Sequence, residues 1–243
     1  MHAEVRYYIR PGVIEVEQVH TSMLGNHNSR NGRMNLTAEA VKKINAKRVA
    51  KNLRRLIDAN FIPGDMYITL TYKEGTHKTL EEVDDDLSCL IRKLKYRYRK
   101  RGSPLKWIAV TGIESPHIHI IINTLDDMNY LKEIPAIWKQ GFIDIKPLYI
   151  EGRYERLAAY LAKHKEENEK KLGISLKDRK AYRNSRNLKR PRVKRIRINE
   201  RMIIRKPKVP TGYQLAGLEE GICRYTGYHY RYFMLIKTER RRE

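Results

Sequence analysis

The sequence predicts an α+β fold: an antiparallel sheet flanked by helices, with a basic extension behind it. Strand-like and helical patterns intermix along the chain, a hairpin lies near its middle, and Lys and Arg crowd the segment after the last long helical pattern. A doubly wound parallel sheet fits less well, because the two best strands are joined by only a few residues. The chain has 243 residues, enough for a catalytic domain plus an appendage, and it shows no internal repeat. Its 51 Lys and Arg stand against 28 Asp and Glu, a net charge of +23, so the expected partner is a polyanion. Ribosomal proteins and binders of anionic membranes share that excess, so charge alone names no reaction.

Residues 1–34 combine a strand-like run, Val13 to Val16, with a Gly/Asn/Ser-rich stretch, Gly25 to Gly32, and read as an arm and a mobile loop. Thr37 is placed to cap a helix carrying Val41, Ile44, Val49, Leu53 and Ile57 at helical spacing, with Leu36 stapled to Val41, until Pro63 and Gly64 stop it. Met66 to Tyr72 (MYITLTY) alternates as a strand. Thr79 and Glu82 form a capping box for a helix that turns Val83, Leu87, Ile91 and Leu94 inward and ends before Gly102. Trp107 to Ile113 and His117 to Asn123 make the hairpin. Met128 to Trp138 reads as a short helix broken at Pro135, Gly141 to Leu148 as a strand, and Tyr154 to about Lys170 as a helix. The partition is then an arm over 1–34, a catalytic domain over 35–170 and a basic, aromatic-containing region over 171–243.

Residues 171–210 hold 16 Lys and Arg and only two acids, Asp178 and Glu200, with Tyr182, Val193, Ile196 and Ile198 interleaved. Such a stripe suits contact with a nucleic-acid backbone better than a disordered tail does. From Gly212 to Lys237 a tyrosine-rich stretch predicts a further strand or hairpin. Cys89 and Cys223 lack metal-binding spacing and read as reduced thiols. No apolar run is long enough to span a membrane, which predicts a cytoplasmic protein without a membrane partner.

Chemistry concentrates in two places. Side chains alternate along a strand, so His117 and His119 share one face while Ile118, Ile120 and Ile122 pack on the other. Two imidazoles one pleat apart can hold one cation, and Glu114 in the hairpin turn could add an oxygen ligand, a set suited to Mg²⁺ or Mn²⁺. On the following helix Arg156, Tyr160, Lys163 and His164 share a stripe, which surrounds the Tyr160 phenol with cations able to stabilise negative charge at phosphorus.

SPHIHIIIN (115–123) resembles the His-hydrophobic-His motif of HUH endonucleases, YLAK (160–163) resembles their Tyr-x-x-Lys motif, and MYITLTY their first conserved strand. In order, NFIPGDMYITLTY, RKLKYRYRKRG, WIAVTGIESPHIHIIIN, WKQGFIDIKPLY, AAYLAK and SRNLKRP resemble the phage gene-two type of replication-associated protein over about residues 35 to 200. The resemblance implies an HUH fold with a central five-stranded antiparallel sheet and a divalent metal on His117 and His119. It implies Tyr160 as the nucleophile that forms a 5′-phosphotyrosine bond to single-stranded origin DNA. Gly112 stands where relatives commonly carry an acid, and Glu114 is the candidate substitute; Tyr154 is too far from Tyr160 to make a tyrosine pair.

The function so implied is initiation of rolling-circle replication of a phage, plasmid or mobile element, on a single-stranded or hairpin origin, with host helicase and polymerase following. Lys163 would assist Tyr160, and Arg156, His164, Arg186, Lys189, Arg190, Arg192, Lys194 and Arg195 would contact DNA. An HUH transposase or relaxase and a non-catalytic basic nucleic-acid-binding protein are the alternatives.

Overall fold

The computed structural model describes residues 2–20, 37–149, 154–176, 178–223 and 227–238. Its architecture is mixed α+β, with two five-stranded antiparallel sheets and, among the described residues, five helices. The chain divides into two compact units, one of residues 45–189 and one of residues 1–44 with 190–243.

The unit of residues 45–189 is built on a sheet of β3 (Met66–Tyr72), β4 (Trp107–Gly112), β5 (His117–Ile122), β6 (Gly141–Pro147) and β7 (Arg183–Asn184), in the order β6-β3-β5-β4-β7. β5 is central: four of its six residues are isoleucine and five of the six are buried, as a strand covered on both faces requires. One face, through Ile118, Ile120 and Ile122, packs on α2 (Leu80–Lys100) and α3 (Tyr130–Ile137). The other, through Ile108, Val110 and Ile121, packs on the end of α1 (Ala38–Asn60) and on α4 (Glu155–Leu172). Helices therefore cover both faces of this five-stranded antiparallel sheet.

Local sequence signals explain the helix boundaries. Thr79 Oγ1 accepts from the Glu82 amide at 3.2 Å and Glu82 returns the bond to the Thr79 amide at 2.8 Å, the expected capping box at the start of α2. α4 ends on Gly173, whose φ of 66° is the left-handed C-terminal conformation that glycine adopts without strain. α3 was expected to break at Pro135 but runs through it to Ile137, since a helix this short loses a single internal hydrogen bond there. In α1, Leu53 and Ile57 are buried, whereas Val41 and Ile44 on the same stripe are exposed. Leu36, expected to staple this helix, lies outside the described residues.

The second unit corrects the reading of residues 1–34 as an arm. β1 (His2–Arg10) and β2 (Val13–His20) form a hairpin, turning at Gly12 with φ 79°, and this hairpin is the middle of a sheet in the order β8-β1-β2-β10-β9. β8 (Arg192–Ile198) comes from the basic segment, and β9 (Tyr213–Ile222) with β10 (His229–Lys237) forms the hairpin expected near the C-terminus. The Gly/Asn/Ser-rich stretch from Gly25 to Gly32 lies outside the described residues. No helix among the described residues is long and apolar enough to cross a membrane.

Candidate metal centre and nucleophile

The face of β5 that carries His117 and His119 is the face covered by α4. Cross-strand register then decides the neighbours: His119 lies between Thr69 of β3 and Val110 of β4, and His117 between Thr71 and Gly112. α4 places Tyr160 and His164 one turn apart over this row, with ring centroids 5.1 Å from each other. The His164 ring lies 5.0 Å from both the His117 and the His119 rings. Ligand atoms of His117, His119 and His164 all fall within 4.8 Å of one another, and the Tyr160 hydroxyl is 3.1 Å from His119 Nε2.

Hydrogen bonds orient the three imidazoles in the same sense. His117 Nδ1–H donates to the Ser115 carbonyl at 2.5 Å, His164 Nδ1 meets the Glu167 carboxylate at 2.9 Å, and His119 Nδ1 lies 2.7 Å from the Tyr67 hydroxyl and 3.1 Å from Thr69 Oγ1. Engaging Nδ1 leaves Nε2 as the inward nitrogen, the arrangement by which second-layer groups orient metal-binding histidines. Nε2 of His117 and of His164 are buried with no hydrogen-bond partner. Such atoms are costly to leave unsatisfied, and a cation between them would satisfy both. Burial, together with the His117 and His164 rings, lowers the His119 pKa to about 3. Burial and His117 also lower that of His164, against the opposing pull of Glu167. Neutral imidazoles are the ligating form, so the donor set fits a divalent cation.

Tyr67, in contact with His119, has its pKa raised to about 12, chiefly by burial. It is therefore a neutral phenol, able to accept from His119 Nδ1–H and keep that ring's tautomer.

α4 is held over this face by Asn168, one turn past His164 and 3% exposed. Its amide donates to the Thr111 carbonyl at 2.8 Å and accepts from the Ile113 amide at 3.1 Å, which ties the helix to the end of β4.

Of the residues expected to ligate a metal, His117 and His119 converge and Glu114 does not: it is exposed in the β4–β5 turn, outside the cluster. His164, expected to contact DNA, is 4% exposed and completes the histidine triad. The available signal was its position four residues after Tyr160. Tyr160 is half-exposed beside the triad, and Lys163 and Arg156 are exposed on the same helix. Arg186, Lys189 and Arg190 are exposed in the loop between β7 and β8, and Arg192, Lys194 and Arg195 are exposed along β8. Sequence reasoning missed Tyr67, Thr69 and Asn168, because each acts through register or a tertiary contact.

No curated protein and no solved structure matches the chain. A sequence family does, and it bears out the resemblance read from the motifs: residues 65–166, which include β3, the β4–β5 hairpin, Tyr160 and His164, match the model of the replication-associated protein family named for ORF2 and the phage gene-two protein.

Proposed function

We propose that the protein is a metal-dependent nickase and strand transferase that cuts single-stranded origin DNA to start rolling-circle replication. One observation carries the reading: a half-exposed phenol, Tyr160, stands 3.1 Å from a buried imidazole that belongs to a three-histidine cluster. Binding of nucleic acid alone has no use for three clustered imidazoles, two of them buried, and an aligned phenol. His117, His119 and His164 would hold a divalent cation through Nε2, which when bound supplies Lewis-acid polarisation of a phosphate oxygen. Three nitrogen ligands favour Mn²⁺ over Mg²⁺, since Mg²⁺ prefers oxygen.

The remaining steps belong to the chain. Tyr160 loses its proton to solvent and its oxygen attacks phosphorus in line. The new bond is a 5′-phosphotyrosine, the P–O3′ bond breaks, and the departing 3′-oxygen takes a proton from water and is left as a priming hydroxyl. Lys163 and Arg156, exposed on the same helix, offset charge on the phosphate and its neighbours. Asn168 and Tyr67 act as positioning residues, the first for α4 and the second for His119.

The test is a pool of single-stranded oligonucleotides incubated with the protein and Mn²⁺. The expected product is a denaturation-resistant adduct on the 5′ end of one fragment, abolished by EDTA and by Tyr160→Phe. A Phe variant that still forms the adduct would assign the attack to another tyrosine. Cleavage with no adduct would make water the attacker and overturn the reading.

A further inference from the structure

On the side of the sheet away from the histidines, two contiguous grooves of about 680 and about 770 Å³ run between α2 and the β7 edge, sharing Lys95, Arg99 and Trp107. Their α2 wall is the exposed stripe Ser88, Arg92, Lys95, Tyr96 and Arg99, which repeats at one-turn intervals. The opposite wall is Arg183, Asn184, Arg186 and Asn187, and the floor is Leu105 and Trp107. Among the described residues, no carboxylate lines either groove.

The cations fall into two groups. Arg183 is committed to the fold through the Asp84 carbonyl at 3.2 Å and Ser88 at 3.1 Å. Farther round the same helix, Arg97 and Arg101 are ion-paired with Glu133. Arg92, Lys95 and Arg99 have no carboxylate within ion-pair distance among the described residues, although five acids, Glu81, Glu82, Asp84, Asp85 and Asp86, lie in the first turns of the same helix. Their charge is therefore unneutralised along about 10 Å of helix.

We infer that this groove binds the sugar-phosphate backbone of a single-stranded nucleic acid, as a second contact separate from the histidine cluster. Three features select that ligand. Unpaired cations at successive turns match a polyanion rather than a single small anion. Tyr96 is exposed among them, with Lys100 4.8 Å from its ring centroid, and offers a face on which any base can stack. The surface is also a recess over Trp107, which suits a flexible strand better than a rigid duplex.

The inference rests on the reading of DNA as substrate and adds a place for the strand beyond the cut. Trp107 and Gly112 are opposite ends of β4, and they face opposite sides of the sheet, the first toward the α2-side core and the second toward His117. They lie about 17 Å apart along the strand. A strand held in the groove is anchored away from the scissile phosphate, so the groove contributes affinity and leaves the chemistry to α4 and β5.

The test uses the full chain in EDTA and fluorescence anisotropy with a labelled single-stranded oligonucleotide, between about 50 and 200 mM salt. The combined Arg92→Gln, Lys95→Gln and Arg99→Gln variant should bind about tenfold more weakly, with a log–log salt slope shallower by about 2. Its adduct yield with Mn²⁺ at saturating oligonucleotide should equal that of the wild type. Tyr96→Ala should weaken binding about fivefold and leave the slope unchanged. Unaltered affinity and slope in the triple variant, or a loss confined to duplex, overturns the groove. If the triple variant loses affinity while the wild type forms no adduct, the nickase reading fails and the groove stands.

Discussion

Gly112 lies directly opposite His117 across the β4–β5 hairpin, and a Cβ at position 112 would fall 2.3 Å from the Cε1 and 2.7 Å from the Nε2 of the His117 ring. The imidazole occupies the space that any other side chain would need. An acid at this position and the observed His117 orientation exclude each other, and the third imidazole of the cluster comes from His164 on α4.

Gly112→Ala is therefore expected to displace His117 and lower Mn²⁺ affinity at least about tenfold, with a stability cost of about 1–3 kcal/mol from overpacking. The backbone at 112 is not in the left-handed region, so strain in φ does not enter. Isothermal titration with Mn²⁺ checks the affinity and urea unfolding the stability. Wild-type affinity in the Ala variant would mean that His117 is free to turn elsewhere.

Asn168→Leu keeps the bulk and deletes both bonds that join α4 to the end of β4. Leaving the Ile113 amide and Thr111 carbonyl unsatisfied should cost about 1–3 kcal/mol. Because Tyr160 and His164 are carried by the same helix, adduct yield should fall while oligonucleotide affinity holds. Loss of both in proportion to unfolded protein would reduce Asn168 to a purely structural role.

His119 ties stability to pH. Its folded-state pKa, about 3, is below the ordinary histidine value of 6.5, so between those limits the unfolded chain binds the proton and the folded chain does not. Stability in EDTA should be unaffected by this ring above pH 6.5 and should fall below it by about 1 kcal/mol per pH unit. His119→Gln removes the titrating ring and should flatten the profile of urea midpoints from pH 8 to 5. Parallel profiles for the two proteins would show that another group dominates acid sensitivity.

On β8, Arg192 and Lys194 project from one face of the strand and Arg195 from the other, while Arg190 precedes it. Changing all four to Gln should weaken DNA binding and flatten its salt dependence without changing adduct yield at saturation. An unchanged slope in anisotropy titrations would remove β8 from the DNA surface.

Much of the unit of residues 45–189 could be read from the chain because its signals are local. The alternation of HIHIII, the Thr79–Glu82 capping box and the interval between Tyr160 and His164 each lie within one element and set its face, its start or its stripe. What escaped depends on partners distant in sequence. His119 meets Tyr67 and Thr69 only because β3 pairs with β5 in one register, and Asn168 finds Thr111 only when α4 has docked. The second sheet was hidden for the same reason: β2 bonds to β10, more than 200 residues later in the chain, and neither strand has a pattern that names the other.

That pairing has a consequence for synthesis. The sheet bearing His117 and His119 is complete once Asn184 has left the ribosome, whereas in the β1–β2 hairpin, made earlier, β1 waits for β8 and β2 for β10 at residues 229–237. At translation rates of about 5–20 residues per second, the first-made hairpin spends about ten seconds or more with an open edge. A chain that stalls before β10 would carry the whole histidine cluster and Tyr160, yet leave β2 exposed as a template for aggregation or proteolysis. Late closure of this sheet would thereby confine a persistent histidine cluster and Tyr160 to chains whose translation has run through β10.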